Sequence, residues 1–102
     1  MAETEKLTVA AIQRIVDAHR RDLEGLGVHS LAVFGSVARG EATPESDVDF
    51  LVEFTGSATL ARYMDLKLLL EKLFKRRVDL VTRKALRSRL QPIVEKDAIR
   101  VA

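Results

Sequence analysis

The chain has 102 residues, 47% of them apolar, a formal charge of +2 at pH 7 and no cysteine. This suffices for one domain, residues 1–102, with a single modest core, and leaves no room for a separate substrate-binding domain. Disulfides and thiolate metal sites are excluded. The charged start Met1-Ala2-Glu3-Thr4-Glu5-Lys6 lacks the basic-then-apolar pattern of a signal peptide. No apolar run approaches the roughly 20 residues of a membrane span. The expectation is a soluble cytoplasmic protein without membrane contact.

Thr8 reads as the N-cap of a first helix, with Leu7 and Ile12 as its hydrophobic staple. Val9, Ile12, Val16 and Leu23 follow at helical spacing, and Gly25 and Gly27 end the segment. His19 lies on this stripe and reads as a half-buried packing residue. A first strand spans Val28 to Phe34, with Leu31 and Val33 on one face and Ala32 and Phe34 on the other. Both faces are apolar, which predicts an interior strand. His29 is given no role. Gly35 then turns the chain into a short helix, whose first amides favour an anion. Thr43-Pro44-Glu45-Ser46 forms a turn cluster.

A second strand covers Asp47 to Phe54. Val48, Phe50, Val52 and Phe54 share one face; Asp47, Asp49, Leu51 and Glu53 share the other. After a break at Gly56-Ser57, a helix over 59–74 has Leu60, Tyr63, Met64, Leu70, Leu73 and Phe74 for its inner side. Tyr63, the only tyrosine, is thereby placed in the core rather than at a site of self-modification. A third strand, Val78 to Val81, repeats the pattern of the second, with Asp79 opposite in facing to Val78 and Leu80. A strand–helix–strand unit makes a parallel pair, which brings Asp79 beside Asp47 and Asp49. Thr82 caps a final helix, stapled by Val81 and Leu86. Pro92 opens a short last segment, and residues 98–101 form a small closing strand. The fold class is α/β (α+β): a mixed three-stranded sheet with helices on one face.

Charge is unevenly distributed. Residues 72–100 hold ten Lys or Arg against three Asp or Glu, whereas residues 1–71 hold seven against twelve. Such a basic end is a solvated helix face or an attractor of triphosphate, nucleic acid or an acidic partner. Arg83 and Lys84 sit in the first turn of the final helix, where positive charge is unfavourable. A local rule broken this way points to phosphate steering or partner contact.

The chemistry concentrates in Gly35-Ser36-Val37-Ala38-Arg39-Gly40 and Asp47-Val48-Asp49. The two glycines are spaced as in a P-loop, but Glu41-Ala42 follows where that motif needs Lys and Ser or Thr. Paired carboxylates on one strand face repel unless a cation joins them, and beside a glycine-serine turn they suggest phosphate chemistry with hard metal ions. Arg39 either reaches a phosphate at this turn or pairs with Glu41 or Glu45 on the surface. Glu53 reads as a solvated strand-end residue.

Gly35-Ser36, ten residues, Asp47-Val48-Asp49 and a later Asp79 resemble the pattern of the nucleotidyltransferase superfamily that includes DNA polymerase β. The run GSVARG…SDVDFLV and the short chain look most like its minimal nucleotidyltransferases. The resemblance covers about residues 7 to 101. It implies a polymerase β-like core in which Gly35, Ser36 and Arg39 bind the nucleotide. Asp47, Asp49 and Asp79 would bind two Mg²⁺ ions and carry catalysis, with Asp79 a candidate general base. It further implies an antitoxin that transfers AMP from ATP to a tyrosine of a HEPN-domain RNase toxin, with no direct nucleic-acid contact. Two other readings stay open: a non-catalytic antitoxin that inhibits by covering its partner, and a nucleotidyltransferase acting on a small molecule or an RNA end.

Overall fold

A computed structural model describes residues 7–86 and 97–102. The elements are α1 (Val9–Ala18), α2 (Arg20–Gly25), β1 (Val28–Phe34), α3 (Gly35–Ala38), β2 (Val48–Phe54), α4 (Leu60–Phe74), β3 (Val78–Thr82), α5 (Arg83–Leu86) and β4 (Ile99–Arg100). They build one sheet of order β3-β2-β1-β4. β2 runs antiparallel to β1 and parallel to β3, and β4 lies antiparallel on the far side of β1. The sheet is therefore mixed, as expected, but has four strands rather than three. The closing segment pairs because Val101 is buried and its amide donates to the Leu31 carbonyl at 2.8 Å.

The core occupies one face. Leu31 and Val33 of β1, Val48, Phe50, Val52 and Phe54 of β2, and Val78 and Leu80 of β3 pack against Ile12 and Val16 of α1, Leu23 of α2, and Leu66, Leu70 and Phe74 of α4. The Phe50 and Phe74 rings meet at 5.5 Å between centroids. Leu51, with Ala32, Phe34 and Val81, forms a smaller apolar cluster on the opposite face. β2 is thus apolar on both faces near its middle and can hold carboxylates only at its ends.

The helix starts follow their caps. Thr8 Oγ1 accepts from the Ala11 amide at 3.1 Å, Thr59 Oγ1 from Arg62 at 3.2 Å, and Thr82 Oγ1 from Ala85 at 3.2 Å. The expected first helix is in fact two. At His19 the backbone amide bonds the Val16 carbonyl, while the ring Nδ1 bonds the Ile15 carbonyl at 2.9 Å. A carbonyl only accepts, so Nδ1 carries the proton. The ring has taken the acceptor that a continuous α-helix would use, and the helix breaks there.

The inner face of α4 also differs from expectation. Leu66 is fully buried, whereas Leu60 and Met64 are exposed. Tyr63 is half-buried and donates from its hydroxyl to the Leu80 carbonyl at 2.6 Å. His29 falls where the β1–β2 register shifts between Val28 and Ser30, and its side chain is exposed. Pro92 and the Leu86 side chain lie outside the described residues. No helix among the described residues is long and apolar enough to cross a membrane.

Leu66 and Leu68 give a direct check on this packing. Leu66→Ala should cost about 2–5 kcal/mol of unfolding free energy, whereas Leu68→Ala, at an exposed position, should cost less than about 0.5 kcal/mol. Urea unfolding of both variants measures the difference.

Candidate active site

The site is assembled where β1 ends and β2 and β3 begin. Phe34, the last residue of β1, is the register partner of Asp49, and Asp49 is in turn the register partner of Asp79 on β3. Partners in a parallel pair share a face, so the Asp49 and Asp79 side chains lie side by side. Asp47 just precedes β2 rather than lying within it, and is exposed. Asp79 is exposed and Asp49 half-buried.

Gly35 ties the turn to these acids. Its φ of +74° lies in the left-handed region. A Cβ at this position would also overlap the Asp49 carboxylate, with Cγ at 3.0 Å. Only glycine lets the chain bend over that carboxylate. Val37 is buried and anchors the one-turn helix α3, which leaves Ser36 half-exposed at the rim. Beyond it the Glu41 amide closes on the Ser36 carbonyl at 2.8 Å.

Burial and like charge dominate the electrostatics at Asp49. Burial first, then the charges of Asp79 and Asp47, push the Asp49 carboxyl up to about 6, against an opposing pull from Arg39. Among the described residues, no side-chain hydrogen bond or ion pair engages the carboxylates of Asp47, Asp49 or Asp79. Nor are three His, Cys, Asp or Glu side chains gathered there closely enough to form a ready coordination shell. The donor set is all carboxylate oxygen, hard and negatively charged, which suits Mg²⁺. A cation would relieve both the burial cost and the repulsion at Asp49.

Arg39 takes surface partners. Its Nε donates to Glu41 Oε1 at 2.9 Å and its Nη1 to Asp97 Oδ2 at 2.8 Å. Of the two partners foreseen in the sequence, Glu41 is used and Glu45 is not. Asp97 was not foreseen, since nothing in the sequence links it to a residue 58 positions away. Glu53 is directed elsewhere, 3.8 Å from Arg83 and 3.4 Å from the Ser30 hydroxyl. A cavity of about 610 Å³ is lined by Glu53, Gly56, Ser57, Thr82, Arg83 and Lys84. Glu53 stands four positions beyond Asp49 and Thr82 three beyond Asp79, roughly 10–13 Å along the strands. It is separate from the acids.

The raised Asp49 value makes the site a cost to stability. A carboxyl whose folded value exceeds its unfolded one destabilises the fold increasingly as pH rises above about 4, fully so above about 6. Asp49→Asn should therefore stabilise the metal-free protein at pH 8, by about 1 kcal/mol after allowance for solvent screening. The gain should vanish below pH 4. Thermal or urea unfolding across this range tests it.

Residues 12–101 match the nucleotidyltransferase domain family. The chain is 41% identical over 96 residues to protein adenylyltransferase MntA of Thermococcus cleftensis, covering 93% of this chain and 97% of that protein. A solved structure described provisionally as a minimal nucleotidyltransferase superposes with a TM-score of 0.77 at 39% identity, covering 91% of this chain and 95% of the other. The fold is also shared with a chain from a complex of a tri-AMPylated Shewanella oneidensis HEPN toxin and its MNT antitoxin, at a TM-score of 0.64 and 17% identity. That likeness covers 88% of this chain and 71% of the other. With the glycine-serine bend against Asp49 and Asp79 at its side, the protein belongs to the nucleotidyltransferase family, in its minimal form.

Proposed function

We propose that this nucleotidyltransferase is an antitoxin that transfers AMP from ATP to a tyrosine hydroxyl of a HEPN-domain RNase toxin. The observation that carries the reading is the register pairing of Asp49 with Asp79, both without protein partners, against the Gly35 bend. The 41% identical relative named as a protein adenylyltransferase supports the reaction class. The AMPylated toxin held by a protein of the same fold supports the class of acceptor. The reading places both partners in the cytoplasm, where ATP is available, and requires no contact with nucleic acid.

In this reading the triphosphate lies across the Gly35-Ser36 bend. The Ser36 hydroxyl and nearby amides hold its oxygens, and Arg39 adds positive charge. Asp47, Asp49 and Asp79 would hold two Mg²⁺ ions, which when bound neutralise the phosphates and polarise the reacting oxygens. Asp79 is exposed beside Asp49 and accepts the proton of the incoming hydroxyl. The tyrosine oxygen bonds to the α-phosphorus, the bond from that phosphorus to the bridging oxygen breaks, and pyrophosphate leaves. The added AMP gives the toxin bulk and negative charge at its RNase site.

Incubation with a cognate toxin, ATP and Mg²⁺ should raise the toxin's mass by whole AMP units. The Asp47→Asn/Asp49→Asn double variant should bind the toxin normally but transfer AMP at least about 10²–10³-fold more slowly. Mg²⁺ should raise the melting temperature of the wild type and not that of the variant. A double variant that still neutralises the toxin at equal dose would instead establish inhibition by covering.

A further inference from the structure

Arg39 is held by a residue from the other end of the chain. Asp97 Oδ2 accepts from Arg39 Nη1 at 2.8 Å, and its side chain is only 21% exposed, against 64% for Glu41. The less exposed carboxylate is the less screened by solvent. The backbone that follows Asp97 is tied to β1. Two residues on, Ile99 and Arg100 pair with Val33 and Ala32 of β1. Beyond them Val101 is buried, its amide donates to Leu31, and its carbonyl accepts from Gln13 Nε2 at 2.8 Å. The chain end is thus a strap fastened to the strand that leads into the Gly35 bend.

The strap also selects which face of the guanidinium is free. Nε is used by Glu41 and Nη1 by Asp97, while Nη2 has no partner among the described residues. With Nε and Nη1 engaged, the donors left on Nη2 suit an anion. Arg39 lies near enough to the acids for its charge to act on Asp49.

We propose that Asp97 is a positioning residue, which through its bond to Arg39 Nη1 holds the guanidinium so that Nη2 faces the nucleotide phosphates. The proposal rests on reading the Gly35-Ser36 bend as the triphosphate site. Asp97 touches no substrate; its effect runs through Arg39.

Calorimetric titration of the full chain with Mg·ATP tests it, using Asp97→Asn, Asp97→Glu, Arg39→Gln and the Asp97→Asn/Arg39→Gln double variant. Asp97→Asn should weaken binding about 5- to 20-fold, and Asp97→Glu should restore most of the loss. The double variant should bind no worse than Arg39→Gln alone, because the two residues act as one. Melting temperatures of the variants should stay close to that of the wild type. Losses that simply multiply in the double variant would overturn the proposal, as would unchanged binding by Asp97→Asn where Arg39→Gln is weakened. Unchanged binding by Arg39→Gln would overturn it while leaving the aspartates' role intact. Failure of the wild type to bind Mg·ATP would overturn it together with the functional reading.

Discussion

The whole arrangement depends on one pairing. Asp49 and Asp79 are register partners on adjacent parallel strands, and the bend at Gly35 closes directly over the first of them. Strand register admits no partial error, since a shift of one residue would send every side chain of β3 to the opposite face. Val78 and Leu80 are buried in the core, and their burial locks the register that presents Asp79. The hydrophobic effect on one face of the sheet therefore fixes the position of charge on the other.

That pairing is unfavourable taken by itself. The charges of Asp79 and Asp47 both bear on Asp49, which is partly withdrawn from water. A fold selected only for stability would place an apolar or hydrogen-bonded residue there. The core of α1, α2, α4 and three strands carries the cost. Compensation within the site is slight: Arg39 opposes the buildup of negative charge but is itself committed to Glu41 and Asp97.

Much of this was legible in the sequence, and the reason is periodicity. Alternation in Val48–Phe54 and Val78–Val81 assigns faces, and the strand–helix–strand rule makes the two strands parallel neighbours. Together these place Asp79 beside Asp49 without a structure. The inner face of α4 was not legible for the opposite reason. Leucine stands at 60, 66, 68, 69, 70 and 73, on every side of the helix, so no stripe stands out. The break at His19 turns on a ring nitrogen competing for a carbonyl, which composition does not reveal. The Arg39–Asp97 bond joins residues distant in the chain, and only the docking of β4 on β1 brings them together. The closing strand itself was readable; that it adds a fourth member to the sheet and anchors an arginine was not.

The most direct measurement is a crystal structure of the chain with Mg²⁺ and a non-hydrolysable ATP analogue. The account predicts cation density bound by Asp47, Asp49 and Asp79, with the triphosphate lying over Gly35 and Ser36. Cation density elsewhere, or the triphosphate seated in the cavity beside Arg83 and Lys84, would contradict it.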